Sequence, residues 1–253
     1  MKKRVLIFAL IGLVAMAAAV GFVYFSGNLI PNERAAAAFA IRGVDVSHHQ
    51  GTIDWSAVAL DKIGFAYIKA TEGGDFRDEQ FLTNWTNAAA HRIPRGAYHF
   101  FTFKTSGALQ AENFISTVPV DSTALPPAVD LEFWGNSRVR PTVSEFQKEL
   151  NALMTRLREA YGKEPVIYTT DDFYAQYLIA YPVKRLWIRN ILYKPRSSEP
   201  LSWLLWQFTD KGRVRGIQTL VDLNAFAGDQ AAFDAIFNKT EVWERDSKIK
   251  SIR

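Results

Sequence analysis

From Arg42 onward, short apolar runs rich in β-branched and aromatic residues alternate with stretches whose apolar positions recur every three or four residues. Residues 43–46, 65–69, 96–100, 127–132, 166–169, 186–188, 204–208 and 220–223 read as strands. The stretches 54–62, 79–92, 106–117, 143–161, 172–180 and 229–237 read as helices. The clearest is Val143–Tyr161, with apolar residues at 143, 146, 150, 153, 154 and 157. Thr142 and Glu145 are spaced for a capping box at its start, and Gly162 is placed to stop it. Such alternation predicts an α/β fold with parallel strands and crossover helices. Seven or eight strands in about 200 residues suit a TIM-like (β/α) barrel, modified by helices that thin out in the C-terminal part.

Ahead of the barrel, Lys2-Lys3-Arg4 precedes an uninterrupted apolar run of 21 residues, Val5–Phe25. At 1.5 Å per residue that length spans a bilayer core of about 30 Å. Ala17-Ala18-Ala19 offers a cleavage site, but the apolar run continues past it, which favours an uncleaved signal anchor over a signal peptide. Basic residues before the span put the rest of the chain outside the cytoplasm. There it is held at the membrane or, if the leader is cleaved, secreted. The expected organisation is an anchor or signal at 1–25, a tether at 26–41, a catalytic domain at 42–237 and a polar tail at 238–253.

The 253 residues carry a formal charge of +4, and the pI near 9.2 invites a nucleic-acid reading. Residues 1–40 hold a net +3 of that charge, so the globular part is nearly neutral and no nucleic-acid partner is expected. With no cysteine, disulfide frameworks, iron–sulfur clusters and thiolate zinc sites are excluded.

Asp130 and Glu132 stand two apart at the end of the 127–132 strand and so face the same side. At the C-terminal end of a barrel strand they project into the mouth, where barrels place their chemistry. Two close carboxylates cannot both ionise cheaply, so one is held protonated near neutral pH, as protonation of a glycosidic oxygen requires. Asp45 closes the first strand and Asp222 lies on the last, and these strands neighbour each other in a closed barrel. Tyr67, Tyr98, Trp134, Tyr168, Trp187 and Trp206 lie at or near strand ends, where aromatic faces can stack on sugar rings.

Seven blocks carrying these residues resemble, in order, the glycoside hydrolase family 25 muramidases, also called lysozymes or N,O-diacetylmuramidases. They are Gly43–Gly51 with Ile53-Asp54-Trp55, Phe65–Gly73, Arg95–Phe100, Ala128–Glu132, Val166–Thr169, Trp206–Thr209 and Val221–Phe226. The resemblance implies a barrel with fewer helices than a full (β/α)₈ fold. It also implies cleavage of the β-1,4 bond between N-acetylmuramic acid and N-acetylglucosamine in peptidoglycan, without cofactor. By position, Glu132 looks like the general acid/base, Asp130 its partner, and Asp45 and Asp222 the remaining acids of the groove floor. Tyr168 matches a tyrosine near the reacting sugar. The direct nucleophile, a carboxylate or the substrate's acetamido group, stays open at this point. The chain departs from the family pattern at Arg189-Asn190 after Trp187, where a small residue and a histidine or tyrosine are usual. It departs again at the bulky Phe133-Trp134. Arg189 puts a cation at the groove edge, suited to a lactyl or peptide-stem carboxylate.

Two other readings compete. A metal-dependent hydrolase would use His48, His49 and His99 with Asp45 or Asp130, but adjacent histidines on an extended segment point opposite ways. A membrane-tethered peptidoglycan-binding protein without turnover would have no need of the paired acids. The expectation is therefore a monomeric, metal-free lysozyme acting on glycan strands.

Overall fold

The computed structural model describes residues 2–196 and 202–237; the expected polar tail at 238–253 lies outside the described residues. Eight strands close into a barrel: β1 (Arg42–Val46), β2 (Phe65–Glu72), β4 (Arg95–Phe100), β5 (Ala128–Leu131), β6 (Val166–Thr170), β7 (Leu186–Arg189), β8 (Trp203–Gly212) and β9 (Val221–Phe226). A two-residue strand, β3 (Phe76–Arg77), folds back on the end of β2. Strands β1 through β8 around the barrel pair in parallel, as the alternation predicts.

The last strand departs from expectation. β9 runs antiparallel to both β8 and β1, because residues 213–220 reverse the chain in a turn with no helix to carry a crossover. The reversal has a functional consequence. Asp222, second in β9, would sit at the barrel bottom in a parallel strand; reversed, it lies at the mouth, in register with Asp45.

Around the barrel run α3 (Trp55–Leu60), α4 (Phe81–Ala90), α5 (Gly107–Thr117) and α6 (Val143–Tyr161), followed by the short α7 (Asp171–Phe173) and a π-type turn over Tyr174–Leu178. The α6 ends are those the sequence predicts. Thr142 and Glu145 form the reciprocal capping box, and Gly162 closes the helix in the left-handed conformation at φ 63°. Helices do thin out after β6.

The alternation of each strand sorts its side chains into two cores. Val44, Ala66, Val129, Ile167 and Ile188 point outward against the helices. Phe65, Tyr67, Ala128, Val166, Leu205 and Phe226 fill the barrel interior, whose bottom is plugged by Phe233 and Phe237 of α8 (Gln230–Phe237). Gly96 has no side chain because the Tyr67 ring occupies that space.

At the other end of the chain, α1 (Lys2–Phe25) contains a 20-residue span, Leu6–Phe25, of mean hydropathy 2.7 with none of it buried. It is long and apolar enough to cross a membrane. Residues 26–41, expected to be a tether, are instead folded onto the barrel through the short α2 (Glu33–Ala36). Ala36 is buried, and Ile30 and Phe39 pack on the outer core.

Candidate active site

The inward positions nearest the strand ends line one groove of about 610 Å³ at the barrel mouth. Its floor and walls include Asp45, Tyr98, Asp130, Glu132, Tyr168, Trp187, Arg189 and Asp222, with Trp134 and Phe133 at the rim. All four acids anticipated from the sequence thus converge there.

The same alternation decides the aromatics. Trp187 and Tyr168 point inward and pack edge to face, with ring centroids 4.9 Å apart. Trp134 is 84% exposed beside the groove, free to cover a ring bound there. Tyr67 and Trp206 do not reach the groove. Tyr67 is inward but one layer too deep, fully buried under Trp187 and donating its hydroxyl to the Pro126 carbonyl at 3.2 Å. Trp206 follows inward Leu205 and so faces outward, where its indole N–H donates to the Asn190 carbonyl at 2.8 Å.

Asp45 is held by two amides that the sequence reading left without a role. Asn224 Nδ2 donates to its Oδ2 at 2.7 Å and Gln207 Nε2 donates to the same oxygen at 3.2 Å. Each amide is oriented by an aromatic donor: Trp187 Nε1 to Asn224 Oδ1 at 2.8 Å, and Tyr168 Oη to Gln207 Oε1 at 2.8 Å. With their oxygens taken, both amides can present only N–H to Asp45. Burial still raises the Asp45 carboxyl. Asp222 bonds to Asp45, and burial together with the Asp45 charge pushes its carboxyl well above the ordinary carboxylate range.

Asp130 is also pushed well up, by burial and then by the charge of Glu132. Its Oδ1 is buried with no hydrogen-bond partner among the described residues. Glu132, one step further out, is raised to about 7 by burial, with the Arg189 and Lys69 cations opposing that rise. Arg189 sits opposite, with one guanidinium nitrogen 3.3 Å from Asp210.

Lys69 is a further residue not singled out from the sequence. It points inward on β2, bonds Glu72 at 2.8 Å and lies between the Phe76 and Phe100 rings at 5.4 and 5.3 Å. Period-two alternation from Tyr67 is the signal that could have found it.

The histidines sit differently from expectation. His48 and His49 occupy a 3₁₀ turn (His48–Gln50), not an extended segment, and their rings lie 4.0 Å apart. His48 Nδ1 pairs with buried Asp78 at 2.7 Å. His99, the third candidate ligand, faces outward and is fully buried, bonded to Thr71 at 2.7 Å and Gln110 at 3.0 Å. Among the described residues no three or more His, Cys, Asp or Glu side chains group as metal ligands.

Residues 44–217 match the family model described as glycosyl hydrolases family 25. Lysozyme M1 of Streptomyces globisporus is 33% identical over 225 residues, covering 83% of this chain and 76% of that protein. A family 25 glycosyl hydrolase structure from Bacillus anthracis superposes with a TM-score of 0.74 at 41% identity, covering 78% of this chain and 94% of that one. A bacterial lysozyme from Streptomyces coelicolor gives a TM-score of 0.68 at 32% identity, covering 79% and 98%.

Proposed function

The chain belongs to glycosyl hydrolase family 25, and from that premise we propose how its groove divides the labour of cleaving a glycan. The protein is a glycoside hydrolase of the lysozyme type. Its substrate is peptidoglycan, in which it hydrolyses the β-1,4 bond from N-acetylmuramic acid to N-acetylglucosamine. That polymer lies outside the cytoplasm, and the enzyme acts there.

Glu132 is the general acid/base. Its pKa near 7 supports this reading most directly: with a large share protonated at neutral pH, it gives its proton to the departing glycosidic oxygen, then takes one from the attacking water. Asp130 is its partner. The unpartnered Oδ1 is an acceptor suited to the N–H of a substrate acetamido group, which would turn that group's oxygen toward the anomeric carbon. Asp45, whose charged form the Asn224 and Gln207 donors favour against burial, stabilises positive charge as the bond breaks. Asp222 holds the proton that spares Asp45 a second charge at close range. Tyr98, Tyr168, Trp187 and Trp134 shape the sugar subsites, and Arg189 meets an anionic substituent such as the lactyl carboxylate.

Helix α1 serves as an uncleaved membrane anchor, with the barrel on the outer side. Its length and unburied apolar surface support this. A purely binding role is not favoured, since the relatives include named lysozymes and muramidases and the acids of the groove are all in place. Glu132→Gln is expected to lower glycan hydrolysis by at least about 10²-fold with the fold retained. Unchanged turnover would remove Glu132 from the role.

A further inference from the structure

The segment joining anchor to barrel is built as a joint. Asn32 is buried and donates from Nδ2 to the Asn190 carbonyl at 3.0 Å and the Phe208 carbonyl at 3.2 Å. Phe39 packs edge-on against Trp203 and Trp206, with centroids 5.5 and 6.2 Å apart. Glu33 pairs with Arg42 at 2.8 Å. Where the anchor ends, Arg213 donates to the Ser26 carbonyl at 2.6 Å. Gly27 turns the chain at φ +75°, and a Cβ there would come within 2.7 Å of both the Lys211 carbonyl oxygen and the Leu220 side chain. A positive φ and a missing side chain at one position let the two backbones touch.

The place of that contact matters more than its tightness. Lys211 follows Asp210 on β8, and Leu220 comes two residues before Asp222 on β9. Asp210 and Asp222 both line the groove. The apolar helix therefore ends against the rim of the mouth, away from the bottom that α8 closes. No residue of its Leu6–Phe25 span is buried on the barrel, so its apolar surface is left for lipid. Tyr24 and Phe25 stand at its outer end, where aromatic side chains favour the membrane interface. Beside them are Lys211 and exposed Arg213, cations suited to lipid phosphates.

We infer that residues 26–41 form a rigid collar that seats the β8–β9 rim of the groove on the outer headgroup layer. The enzyme thereby works on the glycan strands nearest the bilayer. The inference rests on the anchor reading proposed above.

The absence of cysteine allows single labelling sites. The full chain is reconstituted in vesicles of phosphatidylethanolamine and phosphatidylglycerol carrying a nitroxide headgroup quencher. A fluorophore is placed at Thr219→Cys, exposed beside Leu220, or, as a control, at His91→Cys beyond α4 at the barrel bottom. Quenching is expected to be at least about threefold stronger at 219, because the headgroup layer is only about 6 Å deep. A 12-residue Gly/Ser insert after Phe25, with a mean reach of about 20 Å, is expected to erase that difference while hydrolysis of soluble glycan fragments stays unchanged. Equal quenching at both positions in the uninterrupted chain, or a difference that survives the insert, would overturn the collar and leave the anchor standing. Release of the chain by alkaline carbonate would overturn both.

Discussion

Glu132 sits where a carboxylate is costly to ionise, and the same burial that readies it as an acid weakens the fold. Its folded pKa of about 7 exceeds the ordinary 4.5, so the folded state holds the proton more tightly than the unfolded chain does. That stabilisation is complete below about pH 4.5 and lost as pH rises through 7. Glu132→Gln, neutral at every pH, should therefore be more stable than the parent at pH 8, by up to about 3 kcal/mol, and equal to it near pH 4. Urea unfolding at the two pH values checks this. Arg189 and Lys69 restrain the Glu132 pKa, so Arg189→Ala should move the alkaline limb of kcat/KM to higher pH. A limb that stays near 7 would remove Arg189 from the electrostatics of the acid. The titrating residues were legible in the sequence because carboxylates at strand ends are conspicuous. Gln207 and Asn224 were not, since an amide shows its worth only through the partners it faces. Asn224→Ala should cost about 1–3 kcal/mol, because it strips a buried carboxylate and a buried indole of a partner at once.

The eight barrel strands, the outer helices α3 to α6 and the α8 plug were readable as elements, because a period of two and a period near 3.6 leave different apolar stripes. The caps of α6 were readable as well, and Thr142→Ala should cost about 1 kcal/mol in chemical denaturation. Strand direction was not readable. An alternating strand has the same pattern in either sense, and only the short 213–220 connection hinted that β9 turns back. The misplaced aromatics have a related cause. Trp206 and Gln207 are neighbours, so a strand that aims one at the groove must aim the other away. Tyr67 has the right parity but lies below the groove, and depth depends on barrel stagger, which no single strand reveals.

Residues 26–41 read as a short tether in the sequence, yet at the scale of the whole molecule they act as part of the barrel. Asn32, Ala36 and Phe39 satisfy carbonyl acceptors or fill space on the outer face of β7 and β8. Asn32→Ala should accordingly destabilise the full chain by about 1–3 kcal/mol, since two buried carbonyls lose a donor. The joined architecture brings an anchor, a mouth and an acid with a near-neutral pKa to one side of the barrel. The most direct test of the central claim is release of reducing ends from purified peptidoglycan by the full chain in detergent, beside Glu132→Gln, with chelator present. Release by the parent alone is expected, with N-acetylmuramic acid at the new reducing ends by mass spectrometry. Equal release by both proteins, or N-acetylglucosamine at the new ends, would contradict a muramidase driven by Glu132.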